Sequence, residues 1–166
     1  MEYNNDNIVS NENDYSVFSK GLVIEGDVSL TTPLIAKGEI KGNLTCEKEI
    51  EIDEGATIMG NVTGSSITLL SGVISGDVNA LGNVLVEADS KIKGNVNGGV
   101  ISINGLVEGN VTSSSEVVLS SEARIFGDIA ATYIDIEKGA KILGAINIGE
   151  KETTNSTTNN IILERE

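Results

Sequence analysis

Ile58-Met59-Gly60-Asn61-Val62 is followed 16 residues later by Ile74-Ser75-Gly76-Asp77-Val78. The same phrase, an aliphatic residue, any residue, glycine, usually asparagine or aspartate, then an aliphatic residue, stands upstream. There it reads Ile24-Glu25-Gly26-Asp27-Val28 and Ile40-Lys41-Gly42-Asn43-Leu44. Downstream it recurs as Ile92-Lys93-Gly94-Asn95-Val96, Val107-Glu108-Gly109-Asn110-Val111, Ile125-Phe126-Gly127-Asp128-Ile129 and Ile142-Leu143-Gly144-Ala145-Ile146. The eight glycines lie 16, 18, 16, 18, 15, 18 and 17 residues apart. A self-similar period of about this size marks a stacked-repeat architecture and takes precedence over every other reading.

Spacing alternates between short and long. The long units carry a second pair of alternating aliphatics: Ile50-Glu51-Ile52, Val84-Leu85-Val86, Val117-Val118-Leu119 and Ile134-Asp135-Ile136. Small-residue corners follow these pairs, as in Glu54-Gly55-Ala56 and Lys138-Gly139-Ala140, whereas the short units have tighter ones such as Lys37-Gly38 and Ser71-Gly72. The larger unit is therefore a pair of coils, repeated every 34, 34 and 33 residues.

Alternation with a period of two over three to five residues predicts short strands. Helical periodicity is absent from residues 20 to 148, and a recurring glycine costs a helix about 1 kcal/mol each time. Sixteen to eighteen residues with several corners predict one three-sided coil of a solenoid, hydrogen-bonded to its neighbours in parallel register. Glycine followed by asparagine or aspartate suits a corner at positive φ. Eight coils spaced about 4.8 Å apart make a rod roughly 35–40 Å long. A left-handed hexapeptide helix keeps close to multiples of six residues per coil. The varying coil length and the single phrase per coil favour the right-handed type. The expected fold class is all-β: a right-handed parallel β-helix over residues 16–148, with disordered tails at 1–15 and 149–166.

Composition narrows the function. Acids outnumber bases 25 to 11, a net charge of −14, whereas nucleic-acid binding needs a basic surplus. There is no histidine, the commonest general base and imidazole ligand, and the single Cys46 leaves no internal disulfide or cysteine-rich zinc site. No catalytic, cofactor or metal residues are assigned. Asp27, Asp77 and Asp128 share a corner column with Asn43, Asn61, Asn95 and Asn110, but aspartates three coils apart cannot share one calcium ion. The acidic run Glu47, Glu49, Glu51, Asp53 and Glu54 reads as a solvated face, because no aromatic subsites accompany it.

With the phrase, its order and its flanks in view, the chain resembles the bactofilins, bacterial polymer-forming cytoskeletal proteins. The resemblance covers roughly residues 16 to 148. It rests on the opening Ser19-Lys20-Gly21-Leu22-Val23-Ile24-Glu25-Gly26-Asp27-Val28 and on the closing stretch from Ile134 to Ile146 with its Lys138-Gly139-Ala140 corner. It implies a triangular β-helix, nucleotide-independent end-to-end filaments and a cytoplasmic scaffold role in cell shape, polarity or appendage assembly. Many bactofilins open with a short apolar or basic peptide that binds the inner face of the cell membrane. The acidic, polar start Met1-Glu2-Tyr3-Asn4-Asn5-Asp6 departs from that pattern and puts membrane association in doubt.

Polymerisation is also expected from the residues. A stacked solenoid leaves two raw ends that soluble monomers normally cover, and no amphipathic capping helix is found at either. The end coils stay aliphatic, with Leu22, Ile24 and Val28 at one end and Ile142, Leu143, Ile146 and Ile148 at the other. These seven residues are the expected polymer interface, the partner being another copy of the chain. Protein clients are expected at the tails, where Ile161-Ile162-Leu163 follows a polar spacer. The alternatives are a solitary β-helical binding module, such as an ice-binding solenoid, and a carbohydrate-active or acyltransferase-like solenoid. Hexapeptide acyltransferases usually need histidine, and Thr31, Thr32, Thr45, Thr63, Thr68 and Thr112 do not form the full column that ice binding requires.

Overall fold

The computed structural model describes residues 14–53 and 55–149. The expected disorder at 1–13 and 150–166, the apolar tripeptide Ile161-Ile162-Leu163 and Glu54 of the acidic run lie outside the described residues. Among the described residues there are twenty strands and no helix, and every strand pairing is parallel. Each inner strand pairs with strands about one coil before and after it, which makes the chain a parallel β-helix of about eight coils.

Three faces run along the rod. The first is built by Ser16–Phe18, Leu34–Ala36, Glu49–Ile52 and their successors, ending in Tyr133–Ile136. Val23–Glu25, Glu39–Lys41 and Ala56–Met59 begin the second, and Leu106–Glu108, Arg124–Phe126 and Lys141–Leu143 end it. The third runs from Val28–Leu30, Leu44–Cys46 and Val62–Gly64 to Ile129–Ala131 and Ile146–Ile148. Four strands are longer than the pattern predicts: Ser66–Ser75, Val84–Lys93, Val96–Ile103 and Val111–Leu119. Each bends around a corner without losing its ladder, and the register slips at Leu69/Ser71 and at Gly98/Val100. The residues turning these corners include Ser71, Gly72, Gly98 and Gly99, small enough for one strand to pass from face to face.

The alternating coil length has a local origin. Relative to the short coil that follows it, the long coil starting at Gly42 holds one extra residue at each of two corners. Glu47 and Lys48 stand where the next coil has Ser65 alone, and residues 53–55 stand where it has Leu70 and Ser71. The larger first corner is closed by a side chain. The Cys46 thiol donates to the carbonyl of Thr32 and accepts from the N–H of Lys48. Two repeat units later, the Ser113 hydroxyl contacts the carbonyl of Gly99 and accepts from the N–H of Ser115. Cys46 thus occupies a serine's place in the duplication.

Inward positions form aliphatic columns. Ile40, Ile58, Ile74, Ile92, Val107 and Ile125 are one such column, and Leu44, Val62, Val78, Val96, Val111 and Ile129 another, all fully buried. Fully burying one such side chain contributes about 1.5–3 kcal/mol, which is how a core without tryptophan becomes sizeable. Every buried side-chain nitrogen and oxygen among the described residues has a hydrogen-bond partner; the Ser90 hydroxyl, for example, donates to the carbonyl of Leu69.

The recurring phrase holds the coils together in two ways. Its glycines sit where neighbouring backbones touch: a Cβ at Gly42, Gly60, Gly76, Gly94, Gly109, Gly127 or Gly144 would overlap the carbonyl oxygen of the corresponding glycine one coil earlier. Close approach, more than an unusual φ, makes glycine necessary there. Its asparagines and aspartates form a ladder. The side-chain Oδ1 of Asp27 accepts the backbone N–H of Asn43, Asn43 accepts from Asn61, and the series runs on to Asp128, which accepts from Ala145.

Gly76→Ala should therefore lower stability by at least about 2 kcal/mol in chemical denaturation, the cost of overpacking against rigid backbone. Gly26→Ala, with no atom facing it, should cost less. Cys46→Ser should stay within about 1 kcal/mol of the parent, while Cys46→Ala should lose roughly that much through the unmade hydrogen bonds.

Candidate assembly surface

The aliphatic columns continue to both ends of the rod, but burial does not. In the column that is fully buried from Leu44 to Ile129, the last member, Ile146, is 41% exposed. The neighbouring column ends in Ile148, 61% exposed, although Ala131 one coil earlier is buried. Ile142 caps the Ile40-to-Ile125 column and is only half-buried. At the other end, Ile24 and Val28 begin the same two columns half-buried, and Leu22 is exposed at the corner beside them. The structure thus places Leu22, Ile24 and Val28 in the first coil and Ile142, Ile146 and Ile148 in the last.

Leu143 differs from its neighbours. It points outward from the second face and stacks in register on Phe126, so it lies on the flank of the rod at the margin of the end. Four residues that the sequence reading left out belong to the ends. Phe18 and Leu30 open two columns, and Ile134 and Ile136 close the columns of the first face. The signal was available: Ile134-Asp135-Ile136 has the alternation of Val117-Val118-Leu119, with which it pairs.

Open edges accompany the exposed apolar groups. Inner coils exchange backbone hydrogen bonds on both sides, as when Gly76 donates to the carbonyl of Lys93 while Ser75 accepts from Gly60. The strands Lys141–Leu143 and Ile146–Ile148 have a neighbour on one side only among the described residues, as do Val23–Glu25 and Val28–Leu30. An end that combines free strand edges with aliphatic side chains is a template for further strand stacking.

The flanks differ in character. The third face bears the outward column Ser29, Thr45, Thr63, Asn79, Asn97, Thr112, Ala130 and Asn147, uncharged throughout. Threonine supplies only part of it, and Thr68 lies on the first face. Asp27, Asp77 and Asp128 are engaged in the ladder beside this column. Glu49, Glu51 and Asp53 face outward around buried Ile50 and Ile52 on the first face. Cations gather on the second face: Lys41, Lys91, Lys93, Arg124 and Lys141 project from its strands. Lys41 pairs at 3.8 Å with Glu25 and Glu39, and Lys91 at 3.3 Å with Glu108. Such exposed pairs add little to stability.

A family model, Bactofilin, described as polymer-forming cytoskeletal, matches residues 16–80 and 66–147. Among curated proteins, "Bactofilin BacO" of Myxococcus xanthus (strain DK1622) is 26% identical over 137 residues, covering 82% of this chain and 82% of the relative. No solved structure matches the chain. No helix among the described residues is long and apolar enough to cross a membrane.

The difference between buried and end positions is measurable as stability. In dilute, unassembled protein Ile125→Ala should cost about 3 kcal/mol, within the range for buried isoleucine. Ile142→Ala, one coil further along the same column, should cost about half as much in the same denaturation experiment.

Proposed function

The chain belongs to the bactofilin family, whose description is polymer-forming cytoskeletal, and from that membership and the two ends left open among the described residues we propose that its rods join end to end into filaments. The observation that carries this reading is the change along each column, from full burial at Ile129 to 41% exposure at Ile146. A second copy stacked on the terminal coil returns Ile142, Ile146 and Ile148 to the environment of inner residues and completes the strand edges beside them. The same argument applies to Leu22, Ile24 and Val28 at the opposite end.

The driving force is hydrophobic burial and strand pairing, so assembly needs no bound nucleotide. Repulsion between strongly acidic rods, at −14 each, limits lateral clumping and leaves the apolar ends as the favoured contacts. The filament serves as a cytoplasmic scaffold rather than a catalyst, organising cell shape, polarity or the placement of an appendage. Clients are recruited through the tails.

The test is assembly of purified protein without nucleotide. Filaments should be visible by electron microscopy, and most of the protein should pellet at high speed. Ile142→Arg should keep the circular dichroism of a folded β-rod while its pelleted fraction falls at least tenfold. Compact particles from the parent chain, or unchanged pelleting of the variant, overturn the reading.

A further inference from the structure

On the second face, the last two coils form a compact block. Arg124 and Lys141 are stacked in register, and two residues further along the same strands Phe126 and Leu143 are stacked likewise. Both cations are exposed, and among the described residues no carboxylate lies within ion-pair distance of either. Phe126 is 50% and Leu143 71% exposed, so two large apolar groups stand in water beside two unpaired cations. A shallow cleft of about 450 Å³ runs alongside, lined by Arg124 and Lys141 together with Leu106, Ser121, Glu122 and Gly139.

The chain itself carries the complement. Beyond the last coil lies the sequence Ile161-Ile162-Leu163-Glu164-Arg165-Glu166. In an extended segment, alternate side chains share one side, which puts Ile162, Glu164 and Glu166 together. The step from Ile162 to Glu164 is then about 6.6 Å, two residues of strand rise. The step from Phe126 to Arg124, and from Leu143 to Lys141, is the same two residues of strand. A segment laid antiparallel over these strands brings Ile162 onto the Phe126–Leu143 pair and Glu164 between Arg124 and Lys141. Eleven residues separate Gly149 from Ile161, a reach of up to about 40 Å. That spans to the block of the same rod or of a neighbouring copy.

We propose that residues 161–166 dock on the block formed by Arg124, Phe126, Lys141 and Leu143. The docked segment covers the apolar pair at the margin of the C-terminal end and neutralises the two cations. The block lies on the flank beside the end surface, and docking there is distinct from end-to-end stacking.

Disulfide trapping in the full-length chain tests this. In a Cys46→Ser background, Leu143→Cys is combined with Ile162→Cys, two positions that face each other in the docked arrangement, which leaves Phe126 and both cations in place. The control pairs Ile162→Cys with Leu81→Cys, because Leu81 is 90% exposed but belongs to another part of the surface. Under mild oxidation the first pair should cross-link at least tenfold faster than the control, and products within one chain or between two copies both count as docking. Arg124→Glu with Lys141→Glu should remove the preference, and adding Glu164→Lys with Glu166→Lys should restore it. Equal rates for the two pairs, or a preference that survives the charge reversal, overturn the proposal. It also fails if the reversal leaves cross-linking unchanged but abolishes flotation with phosphatidylglycerol vesicles, which makes a lipid surface the occupant.

Discussion

Neighbouring coils touch through their backbones at the corner occupied by Gly42, Gly60, Gly76 and their equivalents, where any side chain would strike a carbonyl oxygen. This approach registers each coil on the one before it. Once the corner is seated, the next residue's Oδ1 lies within 2.8–3.0 Å of a backbone N–H in the following coil. The next aliphatic then lands on the column beneath it. Register, ladder and core are therefore one event repeated along the axis. Parallel pairing alone is weakly registered in sheets of uniform character, and here the glycine corner supplies the missing reference point.

That coupling explains why so much of the fold was legible in the sequence. The phrase around Gly60 contains the contact corner, the ladder acceptor Asn61 and two core residues, Ile58 and Val62. Three structural roles fall within five residues, and all recur with the period. What escaped notice depends on neighbours in space. Whether a strand stops or bends at Ser71 and Gly98 is decided by packing at a corner, not by alternation. The equivalence of Cys46 and Ser113 is hidden because a thiol and a hydroxyl look unrelated until both are seen closing a two-residue corner. At the ends, Ile142, Ile146 and Ile148 could be named from position. Phe18, Leu30, Ile134 and Ile136 needed the columns to be laid out. Leu143 shows the converse: its place in the last phrase suggested the end, and its outward direction puts it on the flank.

The division of charge among the faces was likewise invisible in composition. A total of −14 says nothing about where the few cations stand. Coil geometry sorts them, because outward positions at one point of the period stack into one stripe. Arg124 and Lys141, on successive coils, come together through register and not through sequence proximity. The third face, by the same sorting, is left with hydroxyls and amides, and Asn97 donates to Asn79 along it. A rod of this kind presents three chemically distinct surfaces from a single repeating phrase.

The pairing of coils, with Cys46 and Ser113 at matching corners, gives the molecule a natural increment. Inserting or removing one unit of 33 or 34 residues would alter the rod by about 9.6 Å. Neither extremity would need to be redesigned. Evolution could thus adjust the length of such a rod as one changes the links of a chain, in whole steps and without disturbing its two extremities.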